Sequence, residues 1–301
     1  MTSPVALQAH DLHKRFGRVQ ALAGVSLRAE RGRVVGFLGP NGAGKTTTIG
    51  ILLGLVRPTM GTVEMFGEPL RANRTRMLHR VGAMVGQPAL LPNLSARQNL
   101  QCAACLHPGL PAGRIDQVLD AVGLASVAGR RAGTFSAGMK QRLGLALATL
   151  HRPDLLLLDE PGSGLDPEGV HQLRTLLRSL ADGGAAVFLS SHQLHEVELI
   201  CDQVIVVHRG QVVTEGSVAE LRRGFPERVS IATANREQTA RALAELPQVR
   251  DVEVSPDRVL VSGVPSQVVL HHLVTRGLTP SEVSIERPDL EAMFLQLTKE
   301  A

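Results

Sequence analysis

Eight residues constrain this chain more than any other stretch: Gly39-Pro40-Asn41-Gly42-Ala43-Gly44-Lys45-Thr46. They read G-x-x-x-x-G-K-T, the pattern of a loop that wraps phosphate groups. The apolar run Arg33-Val34-Val35-Gly36-Phe37-Leu38 before it fits a buried strand, and Thr46 to Leu53 after it, including Thr47, fits the start of a helix. Strand, glycine-rich turn and helix together predict an α/β core. The glycines let backbone N–H groups turn inward as an anion cradle. The helix N-terminus adds donors and the positive end of a dipole. Lys45 supplies a point charge for the β- and γ-phosphates, and the Thr46 hydroxyl is a ligand for Mg²⁺.

With 301 residues the chain has room for more than one domain, and 44% hydrophobic against 20% charged residues is the balance of a globular protein. The net charge of +4 is carried almost wholly by arginine; the lysines are Lys14, Lys45, Lys140 and Lys299. A basic balance suits nucleic acid or an anionic membrane surface. Only 2% of residues are aromatic, with no Trp or Tyr, so stacking platforms are scarce and no nucleic-acid partner is expected. Three cysteines, an odd number, argue for a reducing compartment. Cys102 and Cys105, with His107 nearby, lie inside an expected helix, and they read as small core residues rather than a metal or redox pair. The start of the sequence lacks the pattern of a secretory signal, and no run of about 18 apolar residues predicts a spanning helix. If the protein drives transport, another chain provides the channel.

Residues 5–35 read as β-structure, with Phe16 in a turn where its ring either stacks on an adenine or tucks into the core. Arg71, Arg74, Arg76 and Arg80 form a basic cluster on an expected helix, read as a solvated face. Val81 to Gln87 reads as a buried strand ending in a polar amide. Ser95-Ala96-Arg97-Gln98 matches a capping box and opens a helical insert spanning about 90–150. Within it, Ser136 can cap a helix whose apolar face is Leu143, Ala146, Leu147 and Leu150. The small residues Ala137 and Gly138 at its start make a second possible anion site.

Leu155 to Glu160 is an apolar strand ending in two adjacent carboxylates. Side chains on a strand alternate, so Asp159 can face Mg²⁺ while Glu160 faces an attacking water. Gly164-Leu165-Asp166 is a tight turn before a helix, and His192 follows a further buried strand. In open α/β sheets ligands collect at the strand C-termini, where these groups would meet. His208-Arg209-Gly210 marks a hairpin. Near Gly224-Phe225-Pro226 the pattern restarts as β-α-β-β-α-β-α, ending in a helix from Pro288 to Leu297. That order predicts a small α+β ferredoxin-like domain over 226–301, after a first domain over 1–222.

Taken in order, these motifs resemble the ATP-binding subunit of ABC transporters across the whole first domain. Gly39 to Thr46 matches the family's phosphate loop, and Gln87 stands at its Q-loop position. Phe135-Ser136-Ala137-Gly138-Met139 sits where L-S-G-G-Q is usual. Leu155 to Glu160 matches the metal-binding strand, Gly164 to Asp166 the D-loop, and His192 the switch histidine. The sequence from Phe37 to Thr47 and the ending Leu290 to Leu297 look like the drug and antibiotic exporter (daunorubicin-resistance-like) branch.

The resemblance implies a P-loop NTPase fold with an antiparallel β subdomain, and ATP and Mg²⁺ as cofactors. It implies a head-to-tail dimer of two copies with ATP at the interface, and a separately encoded membrane-spanning permease. The location implied is cytoplasmic, on the inner face of the cell membrane. The resemblance gives Phe16 the adenine-stacking place, where the family most often has Tyr. It gives Thr46, Gln87 and Asp159 the metal, Glu160, His192, Gln87 and Asp166 the chemistry, and Ser136, Ala137 and Gly138 the partner's nucleotide. Two other readings stay open: another cargo (lipid, peptide, ion, haem or polysaccharide), or an ABC ATPase acting on ribosomes or in DNA repair.

Overall fold

The computed structural model describes residues 4–224 and 228–286. The chain divides into two compact units, meeting in sequence at Val218 and Ala219. In the first unit β1 (Val5–Phe16) and β2 (Val19–Glu30) form a long hairpin, and β3 (Val34–Leu38) leads into α1 (Lys45–Leu52). There follow β4 (Met60–Met65), β5 (Glu68–Pro69), α2 (Arg74–Leu78) and β6 (Val81–Met84). An insert of α3 (Ala96–Ala104), α4 (Arg114–Ala121) and α5 (Ala137–Thr149) precedes β7 (Leu155–Asp159) and α6 (Pro167–Asp182). The unit closes with β8 (Ala186–Ser191), α7 (Leu194–Ile200), β9 (Gln203–His208) and β10 (Gln211–Ser217), before α8 (Val218–Gly224) crosses into the second unit.

Two sheets organise the first unit. One has the order β2-β1-β4-β5 and is antiparallel; the other has the order β10-β9-β3-β8-β7-β6. In the second sheet β9-β3-β8-β7-β6 pair in parallel, and β10 returns against β9. Every residue of β3, β7 and β8 is buried, as near-continuous apolar runs in a parallel sheet require. A single core joins the inner face of the antiparallel sheet (Leu7, Leu12, Val25), α1 (Ile49, Leu52) and the central strands (Phe37, Leu157, Phe188). Register brings Leu38 opposite Ser191, and Asp159 opposite Ser190. The C-terminal ends of β3, β7 and β8 therefore form one edge.

The second unit runs β11 (Arg228–Ala232), α9 (Arg236–Ala244), β12 (Asp251–Val254), β13 (Arg258–Ser262), α10 (Ser266–Thr275) and β14 (Glu282–Glu286). Its antiparallel sheet has the order β12-β13-β11-β14 over a core of Ile231, Leu243, Val259, Val261 and Leu273. The expected break at Phe225-Pro226 and the helix from Pro288 to Leu297 lie outside the described residues.

Several local expectations are corrected. The strand expected to reach Gln87 ends at Met84, so Gln87 stands in an exposed loop. Of the four clustered arginines only Arg74 and Arg76 lie in α2. Cys102 and Cys105 are exposed, not core. The buried stripe of α3 is Ala96, Asn99 and Leu100, and both thiols fall off it. On α5, Leu147 is half-buried while Gln141, Leu145 and Ala148 are buried, so the helix is enclosed on most sides rather than along one stripe. The capping box of α3 forms as expected, with reciprocal bonds between Ser95 and Gln98.

Candidate functional site

The phosphate loop links β3 to α1 with Gly42 and Gly44 at φ of 83° and 102°. A Cβ on Gly44 would lie 2.7 Å from the Ala21 carbonyl oxygen, so glycine is required there by both dihedral and space. Ala43 is buried, Asn41 exposed, and Pro40 and Thr47 half-buried. Lys45 is 5% exposed. Its Nζ donates to the Gly39 and Pro40 carbonyls at 2.8 and 3.3 Å. The same ammonium lies 3.2 Å from Glu160 Oε1.

The two carboxylates separate, but not by strand alternation: β7 ends at Asp159 and Glu160 stands in the turn after it. Asp159 turns inward: its Oδ2 accepts from Thr46 Oγ1 at 2.8 Å and its Oδ1 from Ser190 Oγ at 2.6 Å. Glu160 has φ of 49°, a left-handed conformation that an L residue adopts only under constraint. Its N–H donates to Ser190 Oγ at 3.0 Å, and the buried Gln141 Nε2 donates to its carbonyl at 3.2 Å. The carboxylate thereby returns to Lys45 on one side and to His192 Nδ1, 2.8 Å away, on the other. Thr46, Asp159, Ser190, Lys45, Glu160 and His192 thus form one connected network across three strand ends.

A cleft of about 540 Å³ opens on this network, lined by Thr46, Gln87, Asp159 and Glu160 on one side and Ala137, Lys140 and Gly164 on the other. Ser136 accepts from Met139 N–H at 3.2 Å and caps α5. A Cβ on Gly138 would lie 3.1 Å from the Gly164 carbonyl, so the start of α5 packs against the turn before α6. Asp166 accepts from Gly169 N–H at 3.0 Å as the N-cap of α6, a structural duty that its expected catalytic part left out. Phe16 is 50% exposed with Lys14 Nζ 4.7 Å from its ring centroid, so the reading that buried it in the core does not hold. It does not line the cleft.

Sequence reasoning missed Ser190 and Gln141. A serine in an otherwise apolar buried strand is a signal for Ser190. Nothing in the helix pattern marks Gln141, whose role depends on α5 meeting the loop after β7.

The site fits a magnesium nucleotide on its own geometry. The loop's backbone leads into α1, whose first residue, Lys45, holds its ammonium against the loop carbonyls at the helix start. A hydroxyl and a carboxylate, both oxygen donors of the kind a hard cation takes, lie in contact beside it.

Fold and site together define a P-loop nucleotide-hydrolysing domain with a helical insert. Residues 22–163 match the ABC transporter family. The chain is 36% identical over 295 residues to the bacitracin transport ATP-binding protein of Bacillus licheniformis, covering 97% of this chain and 96% of that one. It is 35% identical over 303 residues to a daunorubicin resistance ATP-binding protein of Streptomyces coeruleorubidus, with 97% and 96% covered. Among solved structures, an ATP-binding subunit of an ABC transporter superposes with a TM-score of 0.67 at 30% identity, over 73% of this chain and 93% of its own. An ATP-binding cassette solved as a dimer with ADP and phosphate superposes at 0.64 over 70% of this chain and 98% of its own; at 24% identity it speaks for the fold. The chain belongs to the ABC transporter family, as an ATP-binding and ATP-hydrolysing subunit.

Proposed function

We propose that this subunit powers the export of a drug or antibiotic-like compound through a separately encoded membrane permease, working as a head-to-tail pair of identical chains. The observation that carries the ATPase chemistry is Glu160, held between Lys45 and His192 at the edge where Thr46 meets Asp159. The cargo class rests on the names of relatives aligned over 97% of the chain. Among the described residues no helix is long and apolar enough to cross a membrane, and the channel is assigned to the permease.

In this reading the loop amides and Lys45 grip the β- and γ-phosphates. Thr46 and Asp159, with Gln87 at the cleft mouth, hold Mg²⁺, which neutralises charge on the phosphates. Glu160 orients the attacking water and accepts its proton. His192 steadies the Glu160 carboxylate and contacts the γ-phosphate. Phe16 offers an exposed ring to the adenine. Ser136, Ala137 and Gly138 of a second copy close the site. Phosphoryl transfer needs positioning and charge neutralisation more than covalent chemistry, and this set offers both. Closure on ATP and opening after hydrolysis would move the permease.

Glu160→Gln should bind ATP, lower turnover at least a hundredfold and shift the chain to a dimer in size-exclusion chromatography with ATP. A monomeric variant of full activity would refute the role of Glu160. Expression with its membrane permease should raise resistance to bacitracin or daunorubicin in a sensitive host. Unchanged resistance to both, with ATPase intact, would leave the enzyme and remove that cargo.

A further inference from the structure

A second cavity, of about 330 Å³, opens between the C-terminal turn of α1 and the strands β4 and β5. Its floor is apolar: Ile51, Val56, Val63 and Leu70. Its rim carries three exposed guanidinium groups, Arg57, Arg71 and Arg74. None of these residues lines the nucleotide cleft.

The three arginines have no carboxylate partner among the described residues, whereas their neighbours do. Arg76 pairs with Glu68, Arg28 with Glu30, and Arg31 and Arg80 share Asp154. The basic cluster around α2 therefore divides into neutralised members and members left facing the cavity. Gly54, at φ of 66°, brings the backbone close under Arg74: a Cβ there would lie 3.0 Å from Arg74 Nε. The negative end of the α1 dipole explains a cation at that turn, but it accounts for neither Arg57 nor Arg71. An apolar pocket with a few convergent polar groups is the usual form of a small-molecule site. Guanidinium groups match carboxylate and phosphate oxygens.

We propose that this cavity binds a small amphipathic anion, a carboxylate or phosphate monoester on an apolar body. At about 30 Å³ per small group, the cavity takes a ligand of about ten non-hydrogen atoms. The anion meets Arg57, Arg71 and Arg74 at the mouth, and the apolar body covers Val63 and Leu70.

Octanoate is the probe, titrated calorimetrically into the full chain, with octan-1-ol as the neutral match. Octanoate should bind one to one and at least tenfold tighter than octan-1-ol. Arg71→Gln combined with Arg74→Gln should weaken it at least tenfold, the worth of one charge-assisted hydrogen bond. Thr62→Trp, placing a bulky ring at an exposed lining position, should weaken it as much. Basal ATP hydrolysis should stay unchanged in both variants, which also shows that they fold. Competition by phosphatidic acid vesicles, whose headgroup is a phosphate monoester, assigns the natural anion to a lipid; no competition assigns it to a free amphiphile. Equal binding of octan-1-ol, or undiminished octanoate binding in both variants, overturns the proposal.

Discussion

The Ser190 hydroxyl is fully buried and donates a hydrogen bond to Asp159 while accepting one from the Glu160 backbone N–H. Ser190→Ala leaves a buried carboxylate short of one donor, a loss of about 2 kcal/mol for a bond to a charged group. Urea unfolding should show that loss, together with a reduced kcat. Ala137 presents the other test at this scale. It lines the cleft at the first turn of α5, where a methyl limits how closely a phosphate can come. Ala137→Gly should strengthen ATP-driven dimerisation and raise the ATPase rate; an unchanged rate and dimer affinity would remove the steric argument. Lys45, Thr46, Asp159 and Glu160 were legible because each stands in a local motif whose spacing carries its geometry. Ser190 and Gln141 were not, because each acts on a segment 19 to 31 residues away, and that distance closes only in the fold.

Among the elements, the apolar strands and capped helices were legible, and the errors fell where tertiary context decides. The strand β6 stops at Met84, opposite Leu158 of β7, and Gly86 at φ of 62° turns the chain away two residues later. Residue type places Cys102 and Cys105 in the core, yet a helix buries only the stripe facing its neighbours, and both thiols lie off that stripe of α3. The insert meets the core at a histidine stack: the His107 and His151 rings lie 4.1 Å apart and parallel, with His79 edge-on to His107. Burial first, then the neighbouring His107, push the His151 pKa from 6.5 down to about 4. Burial also lowers His107. Between those limits the unfolded chain takes up a proton that the folded chain refuses, so stability falls as pH drops from about 6.5 towards 4. His151→Phe should flatten that slope in urea midpoints measured across the range; an unaltered slope would place the acid sensitivity elsewhere.

For the whole molecule, the two units have separate cores, one around Phe37 and Phe188 and one around Ile231 and Val261. Separate cores predict two calorimetric transitions rather than one. ATP with Mg²⁺ should raise only the transition of the first unit, because ligand linkage acts where the site is. A single transition raised as a whole would mean that the units unfold together. The three thiols offer a further use. Cys201 is buried and its pKa raised by that burial, whereas Cys102 and Cys105 are exposed on the insert. A maleimide fluorophore should therefore tag the insert alone, without any engineered cysteine. The unaltered chain thus carries its own handle for testing whether that helical arm moves during turnover, by energy transfer between the two copies of the proposed dimer.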